Sequence, residues 1–126
     1  MINVKKQIEY WISSSASDIE TAELLIKNIK IINGLFFCHL VLEKAIKAHV
    51  VKSTKQIPPK SHNLIFLLEK TKLEIKPDDE IFFGILMRYQ LQGRYPDYEP
   101  IIPNRLKAEE YLNKTKRIFK WLKEQL

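Results

Sequence analysis

The sequence has few of the residues that break a chain. Its 126 residues include three glycines and six prolines, and the prolines fall mainly at Pro58-Pro59, Pro77 and between Pro96 and Pro103. Long uninterrupted stretches are left for helices, which argues against a turn-rich β-sandwich. A single cysteine, Cys38, allows no internal disulfide and so does not require an oxidising compartment. Lys5, Lys6, Glu9 and Asp18 interrupt the start, leaving no apolar run of signal-peptide type. Nothing approaches the ~20 apolar residues needed to cross a bilayer. What is present, 45% hydrophobic and 29% charged residues, suffices for one core. One cytoplasmic domain over residues 1–126, without membrane contact, is the expectation.

Charge is moderately basic, with 21 Lys and Arg against 15 Asp and Glu. Such an excess favours polyanions through long-range attraction, and it equally describes a solvated lysine surface. Its distribution says more. Residues 31–60 carry five lysines against Glu43, and 104–126 carry seven basic against three acidic residues. Residues 77–103 are acidic, with Arg88 and Arg94 against five carboxylates.

Helical periodicity dominates the chain. Ile8, Ile12, Ser15, Ile19, Ala22, Ile26 and Ile29 recur at spacings of four and three, predicting a first helix over roughly 3–30. Trp11, Asp18 and Leu25 run beside that stripe, and Asn33-Gly34 reads as a helix stop. A second, central helix follows from Leu35 to about Lys52, apolar on two sides. Along it His39, Glu43 and Lys47 stand at i, i+4 and i+8, which stacks them on one face. That line reads either as a buried ion-pair seam or as the wall of a cleft, with Lys47 offering charge to phosphate.

Ser61 is expected to cap a short third helix carrying Leu64, Leu67 and Leu68. Pro77-Asp78-Asp79-Glu80 opens a fourth, with Phe82, Ile85, Leu86 and Tyr89 buried and Gly93 as its stop. Arg94-Tyr95-Pro96-Asp97-Tyr98-Glu99-Pro100 is a polar, aromatic loop that its prolines stiffen. A fifth helix follows Asn104, apolar at Ala108, Tyr111, Thr115, Ile118 and Leu122. The fold expected is all-α, an up-and-down helical bundle of four to five helices.

The motifs of common catalytic sites are missing. His39, His49, His62 and Cys38 fall in no zinc-ligand spacing, and no Gly-rich phosphate loop or nucleophile elbow occurs. No metal or cofactor is expected. Cys38 reads as a small buried apolar residue, with a nucleophile as the alternative. For Arg94, Tyr95, Asp97 and Tyr98 two readings stand. Asp97 can pair with Arg94 while Tyr95 plugs a helix junction, or the guanidinium and aromatic faces can bind a phosphate and a base.

One combination of segments is specific. Glu43-Lys44-Ala45-Ile46-Lys47-Ala48, Pro59-Lys60-Ser61-His62-Asn63-Leu64 and Arg94-Tyr95-Pro96-Asp97, in this order and at this spacing, resemble the HEPN family. These are small helical domains often encoded beside minimal nucleotidyltransferases in bacteria and archaea. The resemblance covers nearly the whole chain. It implies a helical bundle, usually a homodimer, whose motif loops meet in a polar cleft between subunits. Active members are metal-independent ribonucleases that serve as toxins or defence effectors, with an arginine followed four to six residues later by a histidine. Imidazole takes the 2′-hydroxyl proton, and arginine holds the phosphate.

Here Arg94 is present, but Tyr98, Glu99 and Pro100 fill that window, and no histidine follows His62. A base would have to come from His62, His39 or Glu99, and the preferred expectation is that no RNA is cleaved. The resemblance then implies a homodimer binding nucleotide or RNA through Arg94, Tyr95, Asp97, Tyr98, Lys47, Glu43 and His39, with a nucleotidyltransferase as partner in a toxin–antitoxin or defence system. Arg94 and His62 would be catalytic if it is a ribonuclease, and Tyr98 is a candidate for nucleotide transfer by the partner. A purely structural interaction domain is the remaining alternative.

Overall fold

The structure, a computed structural model, describes residues 2–92 and 101–126. Its helices are α1 (Val4–Lys27), α2 (Ile31–Thr54), α3 (Leu64–Leu68), α4 (Pro77–Gln92) and α5 (Arg105–Glu124), and no strand occurs among the described residues. Asparagine opens three of them. The side-chain oxygens of Asn3, Asn63 and Asn104 accept from the backbone N–H of Lys6, Phe66 and Lys107 at 3.0, 3.1 and 2.9 Å, each worth about 1 kcal/mol. Ser61 is therefore not the cap of α3. Its hydroxyl accepts from the Asn63 N–H at 3.1 Å, one step upstream, and fixes the approach to the cap. Pro77 with Asp78, Asp79 and Glu80 does open α4.

The turn between α1 and α2 corrects the expectation for Asn33-Gly34. Ile29 adopts φ 64°, the Lys30 N–H reaches the Leu25 carbonyl at 2.8 Å, and the Ile29 N–H reaches that of Ile26 at 3.1 Å. This is a Schellman cap with isoleucine at the position glycine normally fills. Gly34 lies instead in the first turn of α2, where a Cβ would come within 2.4 Å of an Ile26 side-chain carbon. Glycine serves here for close approach of two helices, not for chain reversal.

Pairings across the bundle give its direction. Ile26 with Gly34, Ser15 with Val41 and Trp11 with Lys47 run in opposite order, so α1 and α2 are antiparallel. His49 with Leu122 and Lys52 with Gln125 advance together, so α5 runs parallel to α2. Asp79 with Arg117 and Phe82 with Tyr111 make α4 antiparallel to α5. The result is an up-and-down bundle with α2 packed on every other helix. Fifteen α2 residues are buried, Leu35, Val41, Leu42, Ala45 and Ile46 completely. The outer helices each supply one stripe: Ala22 and Ile26; Leu64 and Leu67; Phe82, Phe83 and Leu86; Ala108, Ile118 and Leu122. Ile29, expected on the α1 stripe, leaves it at the cap and is exposed.

Two measurements test this arrangement. In urea unfolding, Ile29→Gly is expected to stabilise the protein by about 1 kcal/mol through relief of left-handed strain, whereas Gly34→Ala is expected to destabilise it by about 1–3 kcal/mol through overpacking. His49 supplies the other. Its Nε2 donates to the Leu122 carbonyl at 2.8 Å, and burial pushes its pKa below the ordinary value of 6.5. The unfolded chain then binds the proton more readily, so this histidine's effect is to lower stability as pH falls below about 6.5, levelling off beneath the folded-state pKa. A His49→Gln variant should show a smaller fall in urea midpoint between pH 7.5 and 5.5.

Candidate functional site: a buried carboxylate seam

The helical repeat that puts His39, Glu43 and Lys47 in line also sends all three inward, at 0%, 3% and 6% exposure. A carboxylate withdrawn from water needs partners on both oxygens. Oε2 of Glu43 accepts from the Lys47 ammonium at 3.0 Å. Oε1 accepts from Nδ1 of His62 at 2.9 Å, with Nδ1 of His39 at 3.7 Å. His39 in turn donates from Nε2 to the backbone carbonyl of His62 at 2.9 Å. α2 thus holds the segment before α3 twice, by its imidazole and by its backbone.

That arrangement orients the His62 ring. A carboxylate only accepts, so Nδ1 carries the proton, and in the neutral ring Nε2 keeps its lone pair. The side chain is 42% exposed, and no hydrogen bond to Nε2 exists among the described residues. A partly exposed imidazole oriented by a buried carboxylate is suited to accept a proton or a hydrogen bond through its other nitrogen.

On the α1 side, the Lys47 ammonium lies 5.3 Å from the centre of the Trp11 ring. The Trp11 indole N–H is buried and has no acceptor among the described residues, a deficit that ordinarily costs about 1–3 kcal/mol. A second polar link lies further along α1, where Lys44 pairs with Asp18 and donates to Ser14, both at 2.7 Å. Asp18 is the polar group expected beside the α1 stripe, and Lys44 is its counter-ion.

The structure therefore gathers His39, Glu43, Lys47 and His62 into one seam. Arg94, Tyr95, Asp97 and Tyr98, together with Gly93, lie outside the described residues. Trp11, which runs beside the α1 stripe seven residues before Asp18, joins the seam. His49 faces α5 and takes no part. Cys38 is fully buried beside Thr115, and burial pushes its thiol up to about 12, so the apolar reading holds over the nucleophile. No cluster of three His, Cys, Asp or Glu suited to a metal occurs among the described residues.

An antiparallel helix pair closed by two further long helices, with a polar seam along the central one, defines a small helical-bundle domain. The HEPN domain profile matches residues 8–125, and the chain belongs to the HEPN family. Two solved structures share the fold. TT1696 from Thermus thermophilus superposes with a TM-score of 0.80 at 23% identity, over 95% of this chain and 98% of its own. ST0689, described as an archaeal HEPN homologue, gives 0.64 at 25% identity over 94% and 96%. No curated protein matches the sequence.

The seam makes a stability prediction. Glu43→Ala leaves the Lys47 ammonium buried without its partner and is expected to cost about 3–5 kcal/mol in urea unfolding. Removing both charges, with Glu43→Ala and Lys47→Met together, is expected to restore a substantial part of that loss.

Proposed function

We propose that this HEPN protein acts as a homodimer that binds nucleotide or RNA in a cleft between subunits. We propose further that it works with a minimal nucleotidyltransferase in a toxin–antitoxin or defence system. One observation carries the reading: Glu43, Lys47, His62 and Trp11 converge, leaving a buried indole donor without an acceptor among the described residues, beside a lysine and a partly exposed imidazole. A phosphate or a base edge offers the acceptor that such a donor lacks. Arg94 holds phosphate in this reading, Tyr95 and Tyr98 stack or position a base, and Asp97 orients Arg94. Lys47 adds charge, while His39 and Glu43 hold His62 in place. Tyr98 is the residue proposed to receive a nucleotide from the partner enzyme.

The His62–Glu43 pair favours a second reading, a metal-independent endoribonuclease. The family's histidine is missing after Arg94, and in this reading His62, hydrogen-bonded through Nδ1 to Glu43, serves as the general base. In that case His62 would take the 2′-hydroxyl proton and Arg94 would stabilise the phosphorane-like charge.

Incubation of the protein with tRNA in the presence of EDTA separates the two. For the binding function, tRNA stays intact, and Arg94→Ala weakens binding and lowers the slope of log affinity against log salt by about 0.7–0.9. For the ribonuclease, tRNA is cut, and both Arg94→Ala and His62→Asn, which keeps an N–H for Glu43, abolish cutting. Intact tRNA with binding indifferent to Arg94→Ala removes both readings.

A further inference from the structure

Where the C-terminal ends of α2 and α5 run side by side, the 72–74 segment closes a cleft of about 630 Å3 whose lining includes His49, Lys52, Lys55, Lys72, Glu74 and Trp121. It opens on a different side of α2 from the seam, since His49 and Lys52 face α5 while Glu43 and Lys47 face His62 and Trp11. Its volume is that of a small-molecule site.

We propose that this cleft binds a small organic phosphate, with the phosphate on Lys52, Lys55 and Lys72 and a flat ring against Trp121. Three lysines against Glu74 leave an excess of two positive charges, and a phosphate monoester carries close to two negative charges at neutral pH. Lys52 is held in place. Its ammonium donates to the Gln125 and Leu126 carbonyls at 3.1 and 3.3 Å, which leaves the third of its three protons for a ligand. Such prior ordering lowers the entropy lost on binding.

His49 adds a neutral group. Its Nε2–H is committed to the Leu122 carbonyl, so Nδ1 remains as an acceptor for a ligand hydroxyl, and burial keeps the ring uncharged beside Lys52. Trp121 is half-buried at the edge of the core and adds an apolar ring to the lining. Lys55 occupies the left-handed position that ends α2, at φ 60°, where glycine would be less strained.

That strain makes a clean test, because Lys55→Gly removes a cleft charge while favouring the fold. In a Trp11→Phe background Trp121 is the remaining tryptophan, so its emission reports the cleft. Titration with adenosine 5′-monophosphate, ribose 5-phosphate and inorganic phosphate is expected to give a saturable change, tightest for the monophosphate with the ring. Lys55→Gly with Lys72→Ala is expected to weaken that binding at least tenfold without lowering the urea midpoint. The proposal is overturned if no probe saturates, if the double variant binds as well as its parent, or if inorganic phosphate binds as tightly as adenosine 5′-monophosphate.

Discussion

A single carboxylate inside the bundle sets the terms for what surrounds it. Glu43 lies on the helix that every other element packs against, and at 3% exposure it cannot rely on water. Its two oxygens are met from two directions, by Lys47 one turn along α2 and by His62 from the segment before α3. Lys47 is buried in turn and rests against Trp11 of α1. One ionised group therefore ties three parts of the chain together, and none of its contacts can be removed without stranding another. Apolar packing stabilises the bundle, while this network dictates how the segment before α3 lies on α2.

Much of the fold is legible in the sequence because helices repeat. Spacings of three and four in α1 and α5 name the buried faces, and the His39, Glu43 and Lys47 line follows from the same geometry. Gly34 misleads because local sequence does not distinguish a glycine that reverses the chain from one that admits a neighbouring helix. Only Ile26 across the interface decides it. Ile29 carries no residue signal for a left-handed turn. Ser61 and Asn63 are both good caps, and their hydrogen bonds alone assign the roles. The His62–Glu43 pair joins residues 19 apart in sequence and belongs to tertiary structure. The cleft at the ends of α2 and α5 draws on three separated segments, and no local pattern points to it.

The basic excess divides accordingly. On α5, Lys116 and Arg117 are engaged with Glu23 and Asp79, and Arg105 and Lys107 with their helical neighbours Glu109 and Glu110. Lys116 and Arg117 thus tie α5 to α1 and α4, while all four cations remain exposed and are partly neutralised by their partners. Lys47 pairs with Glu43 and lies over Trp11 in the seam, while Lys52, Lys55 and Lys72 line a cleft. A net charge of +6 thus says less about a ligand than the few cations that the fold brings together.

His62 is where structure and proposed function meet most closely. Long-range nitrogen–proton NMR of the imidazole reports which nitrogen carries the proton and whether a ligand reaches the other. With Glu43 behind the ring, the neutral form is expected to be protonated at Nδ1, and the Nε2 resonance is expected to shift on addition of RNA or nucleotide. A ring protonated at Nε2, or an Nε2 resonance unmoved by either ligand at saturating concentration, would contradict a ligand-facing His62 oriented by Glu43.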